Sequence, residues 1–461
     1  MLPTSLLAAI SAHGGGQVVL VLGAGCSKEP PTSLPLSREC AEEAHRRLVA
    51  DHVLGQNDCA DPADLSLLAE VVFEKTGSQD ALVDRMNPVK FRQAPPNEGY
   101  QLAAALLAEH AISAILTLNF DLAIFHAISF LGMGTDISVI LGPEDHGRLS
   151  TINVVYLHRS AKADPDDWIL RATEIATGWQ GRWEQVVAQR FLLMPTVVFV
   201  GLGSPARVLI ETVKLIRNAI PEGTHIFQVD VARRVDSAFV AELQLPESSF
   251  IQMGWRDFVR QLAVRLSEEH RAQLQTACQW LVQNQGVPNE NVPALCERIV
   301  AIGLLDFGSL RASWLLEEGS YFPWRNTDAR LIADLLLAVG FMERETEAQA
   351  FFEHDGVVEF RRGSSILGRI IFASGRGVKR WFAMEAELQG DKHRWGVRQP
   401  QPTAAIFAGV NGNVRAAAPP ADISGEVEVG DIVASAEVLT MVTVDDLRNT
   451  EGLARELLSV V

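Results

Sequence analysis

The sequence predicts an α/β fold: a doubly wound, Rossmann-like parallel sheet with a helical insertion, followed by a second, smaller α/β or α+β domain. Three observations carry this. Apolar runs rich in β-branched residues recur at 17–22, 114–120, 152–157, 195–200 and 225–230, and most stop abruptly in small or polar residues. Such runs read as strands buried on both faces, which parallel sheets require. The intervals between them carry helical patterns, and beyond about residue 266 the order changes to helices followed by strands. A doubly wound first domain over 1–265, a helical linker over 266–290 and a C-terminal domain over 291–461 are therefore expected.

The chain has 461 residues, 48% of them apolar, enough for two or three cores. With 40 Lys and Arg against 57 Asp and Glu, its net charge of −17 disfavours bulk electrostatic binding to nucleic acid. Five cysteines, Cys26, Cys40, Cys59, Cys278 and Cys296, form no C-x-x-C pair, which argues against a zinc ribbon and against a secreted disulfide framework. No apolar run approaches the ~20 residues of a spanning helix, and no charged segment precedes the short SLLAAI run at the start. A soluble protein of the reducing cytoplasm is the expectation.

Residues 3–13 read as a short helix leading into the first strand. That strand, in QVVLVLGAGCS at 17–27, runs into a glycine turn. Gly23 and Gly25 would allow positive φ and a close backbone approach to a ligand, and Ser27 would cap a following helix whose N-terminus attracts pyrophosphate. A dinucleotide site follows, although Lys28 stands where the third glycine of G-x-G-x-x-G would be. Three prolines in EPPTSLPLS exclude helix there and suggest a loop over the pocket. Helical patterns starting at Ser37 fill the chain to about 110. The second strand, Ala114 to Phe120, carries Thr117, Asn119 and Asp121 at its end; the third, Ile152 to Leu157, ends in His158; the fourth, Pro195 to Val200, ends in Gly201, Gly203 and Ser204. Open α/β sheets place ligand contacts at such carboxyl ends. A helix over 207–219, a fifth strand at 225–230 and the helical GWRDFVRQLAVRL complete the domain near 265.

Together, GAGCS at 23–27, TLNFD at 117–121, the strand ending in His158 and VFVGLGS at 198–204 resemble the ordered motifs of the sirtuin-like superfamily: GAG-x-S, T-x-N-x-D, an isolated histidine and a late G-x-G/S. The resemblance covers roughly residues 15–265. The deacylases of that superfamily have a four-cysteine zinc ribbon and a GIPDFR loop; here 28–36 reads KEPPTSLPL, and Arg159 follows the histidine where they have glycine. The pattern is similar to the sirtuin-like NADases of bacterial anti-phage defence, which deplete NAD+ in abortive infection. By that resemblance the substrate is NAD+, with no zinc or other metal. Asn119 would hold the water or a ribose hydroxyl, His158 would act as base, and Asp121 would line the nicotinamide pocket. Gly23, Ala24, Gly25, Ser27, Thr117, Gly201, Gly203 and Ser204 would bind the nucleotide. A neutral histidine suits a base role, its ordinary pKa being about 6.5. A strand-end histidine bonded to backbone is the alternative for His158, and packing or surface the reading for His126.

In the second half, EEHRAQLQTACQWLVQ and VPALCERIVAIGLL read as helices, and DARLIADLLLAVG at 328–340 as an amphipathic helix ended by its glycine. Strands are expected in GVVEF, SILGRIIFA, KRWFAMEAEL, TAAIFAGV and VLTMVTV. Residues 361–398 hold nine Lys and Arg against three acidic residues, interleaved with Trp381, Phe382 and Trp395, and could contact nucleic acid or an acidic partner as well as form a solvated sheet face. Glu385 and Glu387 share one strand face, as in restriction-nuclease-like folds, but no lysine follows and only Asp355 offers a loose third carboxylate. A degenerate, non-catalytic sensor or docking module fits better.

The leading function is thus a regulated NAD+ glycohydrolase, restrained until a trigger acts through the second domain, as a homo-oligomer or with a second defence protein. A nucleotide-binding scaffold without turnover is the alternative. A deacylase is disfavoured by the missing zinc cysteines, and a dehydrogenase by the incomplete glycine fingerprint.

Overall fold

In this computed structural model, which describes residues 2–11, 16–131, 137–177, 182–203, 207–220, 224–314, 329–353, 356–374, 400–409 and 440–458, the chain divides into two units, Met1–Leu266 and Ser267–Val461. The first is built on seven strands: β1 Val18–Leu22, β2 Ala114–Thr117, β3 Ser138–Ile140, β4 Asn153–Tyr156, β5 Thr196–Val200, β6 His225–Asp230 and β7 Phe250–Gln252. They pair in the order β3-β4-β2-β1-β5-β6-β7, all parallel. Every residue of β1, β2, β4 and β5 is buried, which is why those segments show no alternation of apolar and polar residues. From β1 the chain leaves on one side to β2, β3 and β4, then returns to the other side of β1 as β5. The strand order therefore reverses between β1 and β5, and the region outside the carboxyl ends at such a switch point is where open parallel sheets hold ligands.

The insertion between β1 and β2 is helical, as expected. After α1 Thr4–Ser11 it comprises α2 Ser37–Ala50, α3 Leu65–Thr76, α4 Asp80–Met86, α5 Pro88–Arg92 and α6 Glu98–Ala108. Local chemistry sets their ends. Asp64 accepts from the Ser66 and Leu67 amides to start α3, and Gly77, at φ 79°, ends it. Asn97 accepts from the Tyr100 amide to start α6. The remaining helices of the unit are α7 Ala123–Phe130, α8 Ala172–Thr177, α9 Trp183–Leu192, α10 Arg207–Ala219 and α11 Ala238–Leu243, and α12 Trp255–Gln285 begins in it.

Two strands of this unit escaped the sequence reading, as did the strand Gln349–Phe352 of the second unit. β3 and β7 are three residues each and pair on one side only, too short to display a period. The second strand is also shorter than expected: it stops at Thr117, and residues 118–122 are irregular, although the Leu118 amide still donates to the Leu22 carbonyl at 3.0 Å.

Within the second unit, α13 Val292–Val300 and α14 Leu304–Trp314 are separate helices, where one continuous helix was expected, because Gly303 adopts φ 96° between them. The long α15 Ala329–Thr346 packs Leu336, Val339 and Met342 into a core shared with Val358, Phe360, Ile370, Phe372 and Ile406. Its predicted end at Gly340 is wrong. Gly340 lies inside the helix because a Cβ there would come within 2.7 Å of both Glu290 and Leu295, so the glycine serves close packing rather than a cap. β8 Gln349–Phe352, β9 Val357–Arg362 and β10 Ser365–Ser374 form an antiparallel meander, and β11 Ala404–Ala408 and β12 Thr440–Thr443 add in parallel. This is a mixed five-stranded sheet. The expected strand KRWFAMEAEL, with Glu385 and Glu387, lies outside the described residues, as does Asp355.

The basic segment is described only for Arg361, Arg362 and Arg369. Arg361 and Arg369 both pair with the buried Glu359, and Arg362 donates to the Thr346 carbonyl at 2.6 Å. Those three charges serve the sheet itself. The other six basic residues of the stretch fall outside the described residues.

Candidate functional site

The turn after β1 is closed by the turn after β5. Gly23 donates its amide to the Val200 carbonyl at 2.9 Å, and Gly25 donates to Gly201 at 3.0 Å. A Cβ on Gly23 would lie 2.5 Å from the Gly201 oxygen, and one on Gly25 would lie 2.8 Å from the Gly201 Cα. The expected positive φ does not occur at either glycine; Gly201 carries it instead, at 66°. The close backbone approach anticipated for a ligand is thus partly used to seat one turn on the other. Gly203 is exposed and meets nothing. Ser204 lies outside the described residues.

Ser27 is not a helix cap. Residues Ala24–Ser27 form a single 3-10 turn, the chain then passes through a cis Pro30–Pro31 bond, and α2 begins only at Ser37. The Ser27 hydroxyl is turned inward, where its Oγ lies 2.7 Å from Asp121 Oδ2 and 2.7 Å from the Tyr100 hydroxyl. Asn119 joins the same group: its Nδ2 lies 3.0 Å from the Gly23 carbonyl, 3.1 Å from Ser27 Oγ and 3.2 Å from the Tyr100 hydroxyl. Thr117, the last residue of β2, accepts the Asn119 amide on Oγ1 at 3.0 Å and so sets the turn that aims Asn119. Asp121 Oδ1 accepts the Ala123 amide at 3.0 Å, opening α7. All these side chains are buried. Burial pushes the Asp121 carboxyl above its ordinary value, with Ser27 and the Ala123 amide pulling it back. Burial likewise pushes the Tyr100 phenol and the Cys26 thiol up, so both are neutral near pH 7.

His158 follows β4, which pairs with β2 in a register that sets Tyr156 against Thr117. Asn119 and His158 therefore each stand two residues past a matched pair on adjacent strands. The His158 loop is tied to the Asn119 turn by the Ala161 amide, which donates to the Phe120 carbonyl at 2.7 Å. Phe120 stacks on Trp168 with ring centres 4.5 Å apart and lies 6.5 Å from the imidazole. Burial first, and the Arg159 charge second, lower the His158 pKa to about 4. Arg159, at φ 71°, is held by an ion pair of 2.7 Å to the fully buried Glu184 and lies over Trp183. His126, set aside as a packing residue, has Nδ1 2.9 Å from the Ala94 carbonyl.

The arrangement brings Ser27, Thr117, Asn119 and Asp121 into one hydrogen-bonded group beside Gly23, Gly25 and Gly201, with His158 in the turn after the neighbouring strand β4. Sequence reasoning missed Asn97 and Tyr100. Asn97 donates to the Cys26 carbonyl at 2.9 Å and receives the Trp255 indole N–H at 3.2 Å. The signal available was the asparagine of PPNEGY, a helix start three residues before a tyrosine.

Among the described residues, no three His, Cys, Asp or Glu side chains gather to hold a metal ion, and no helix is long and apolar enough to cross a membrane.

No protein-family model and no curated protein matches this chain. Among solved structures it is similar to a Sir2 homologue in complex with NAD, at 16% identity over 57% of this chain and 93% of that one, with a TM-score of 0.32. It is similar also to a Sir2 complex with a p53 peptide and NAD+, at 14% identity over 58% and 98% of the two chains and a TM-score of 0.33. A mutant Sir2 homologue holding ADP-ribose gives 15% identity, 58% and 98% coverage and a TM-score of 0.33. All three are Sir2 proteins.

Proposed function

We propose that the N-terminal unit binds NAD+ in the crevice outside the carboxyl ends of β1, β2, β4 and β5 and hydrolyses its N-glycosidic bond. The observation that carries this is the convergence of Ser27, Asn119 and Asp121 in one hydrogen-bonded group where the strand order reverses, with His158 beside it. The described parts of the four motifs that resemble those of sirtuin-like NADases lie far apart in sequence and follow the carboxyl ends of β1, β2, β4 and β5, which supports this reading.

The reaction converts NAD+ and water to nicotinamide, ADP-ribose and a proton. The bond from C1′ to the nicotinamide nitrogen breaks with its electron pair leaving on the ring, which becomes neutral. The bond from water oxygen to C1′ forms as a proton departs. Because C1′ becomes strongly cationic before water adds, little basicity is needed. A neutral imidazole that accepts a hydrogen bond from the water or a ribose hydroxyl is sufficient, and the low pKa of His158 keeps it in that form. Asn119 Nδ2 is committed to the protein, so Oδ1, which takes no donor among the described residues, is the atom that faces substrate. Thr117, through the Asn119 amide, and Ser27, through Nδ2, hold it there, and the Gly23–Ser27 turn with Gly201 frames the nucleotide.

As a regulated effector of anti-phage defence the enzyme would be held inactive at rest, since unchecked NAD+ loss is lethal to the cell that makes it. The second unit is the candidate restraint, acting in a homo-oligomer or with another protein. The internal bonding of Asn119 Nδ2 favours a second reading, a nucleotide-binding scaffold without turnover. Mass spectrometry of NAD+ incubated with the whole chain in 18O water separates the two: ADP-ribose heavier by one 18O is the hydrolase, and intact NAD+ the scaffold.

A further inference from the structure

The hydrogen-bonded group beneath the crevice has a direction. Ser27 donates its single hydroxyl proton to Asp121 Oδ2 at 2.7 Å. The Ser27 oxygen must then be an acceptor toward Tyr100, 2.7 Å away, and Tyr100 is the donor of that bond. With its own proton spent, the Tyr100 oxygen is an acceptor toward Asn119 Nδ2 at 3.2 Å. Of the two Asn119 amide protons, one goes to the Gly23 carbonyl and the other is shared between Tyr100 and Ser27. Each bond fixes the next, and the series ends by turning Asn119 so that nitrogen points into the protein and Oδ1 away from it.

Tyr100 itself is held on every side. Its amide is capped by Asn97 at 3.1 Å, and its ring lies edge-on to Trp255 at 5.7 Å. Trp255 can lie there because residue 99 is glycine: a Cβ at that position would be 2.2 Å from the indole nitrogen. The tyrosine hydroxyl is therefore delivered from α6 to the Ser27–Asn119 pair with its ring seated on Trp255.

We propose that Tyr100 is a positioning residue, whose hydroxyl acts through Asn119 by holding its amide in the orientation that presents Oδ1 to the ribose or water of NAD+. The proposal rests on the NAD+ hydrolase reading for its consequence, but the tether itself does not. Tyr100→Phe keeps the ring against Trp255 and removes only the oxygen, which relieves Asn119 Nδ2 of one acceptor and Ser27 of one of its two donors.

The test uses the whole chain labelled with 15N-asparagine, with the Asn119 side-chain amide assigned by its loss in Asn119→Ala. In the wild type its two protons exchange slowly with solvent and are widely separated in shift; in Tyr100→Phe exchange quickens at least tenfold. Equal exchange in the two overturns the tether whatever the activity. Alongside it, nicotinamide release is measured against NAD+ concentration. The expected result is kcat lowered roughly 10- to 100-fold with KM changed less than about threefold, because an interaction used by the transition state is lost while binding is kept. An unchanged kcat, or a loss confined to KM, overturns the positioning role. If the wild type releases no nicotinamide, it is the hydrolase reading that fails, and the exchange measurement still decides whether Tyr100 orients Asn119.

Discussion

Gly25 and Gly201 meet backbone to backbone: the Gly25 amide donates to the Gly201 carbonyl at 3.0 Å, and a side chain on either would strike the other turn. This contact joins the ends of β1 and β5, the two strands between which the strand order reverses, and so fixes how the two turns sit against each other. Gly201→Ala should be costly. It asks an L-residue to hold φ 66° and sets a Cβ 2.9 Å from the Cys26 nitrogen. A loss of about 2 to 4 kcal/mol in the urea-unfolding free energy is expected. Gly203→Ala, two residues on and in open space, should change stability by less than about 0.5 kcal/mol.

His158 gives a pH signature. Its folded pKa of about 4 lies below the unfolded value of about 6.5. Above the unfolded value both states are neutral and the group's contribution is constant. As pH falls between the two values the unfolded chain binds the proton first, so stability declines, by about 3 kcal/mol in total. Other groups, Asp121 among them, titrate in acid too, so the comparison is wild type against His158→Gln. The wild type should lose the additional stability between about pH 6.5 and 4, and the variant should not. NAD+ cleavage should likewise stay level down to about pH 5.5, where an ordinary histidine base would already be mostly protonated.

Arg159 and Glu184 form a nearly enclosed ion pair, with Glu184 fully buried and Arg159 16% exposed. Arg159→Met would strand the Glu184 carboxylate away from water, at a cost of about 3 to 5 kcal/mol. Adding Glu184→Leu should restore much of it, because the uncompensated charge goes too. Thermal melts of both single variants and the double would show this as a coupling; strictly additive effects would refute it. The single Arg159 variant should also let the His158 pKa rise, since the guanidinium is one of the two causes that lower it.

In the second unit, Gly340→Ala sets two effects against each other. Alanine in a helix interior gains about 1 kcal/mol over glycine. The new Cβ, however, would be 2.7 Å from both Glu290 Cβ and Leu295 Cδ1, and overpacking of this kind costs about 1 to 3 kcal/mol. Net destabilisation of the second unit is expected by chemical denaturation, although the same change in an exposed helix would stabilise.

Much of the fold was legible because a parallel sheet needs strands that are apolar on both faces, and 17–22, 114–120, 152–157, 195–200 and 225–230 are. The edge strands β3 and β7 were not, being three residues long with a single partner each. The placement of Asn119, Asp121 and His158 just past the ends of β2 and β4 was legible because polar residues at the end of a buried run stand out. Ser27 was placed near the site but given the wrong role. A serine after a glycine turn reads as a helix cap, and only the folded chain shows α2 starting ten residues later and the hydroxyl spent on Asp121. Tyr100 and Asn97 were illegible, since nothing local to PPNEGY says that α6 brings Tyr100 to Ser27 and Asn119, and Asn97 to the Cys26 carbonyl. Gly340 misled for the opposite reason, its local signal for a helix end being overridden by a tertiary contact.

The most direct test is the rate of nicotinamide release from NAD+ by wild type, His158→Ala and Asn119→Ala at equal concentration, with folding checked by circular dichroism. A hydrolytic site at the ends of β2 and β4 predicts release by the wild type, a fall of roughly 10²- to 10⁴-fold in His158→Ala, and loss of product in Asn119→Ala with NAD+ binding retained. Release undiminished in both folded variants would contradict it, placing any cleavage elsewhere in the chain.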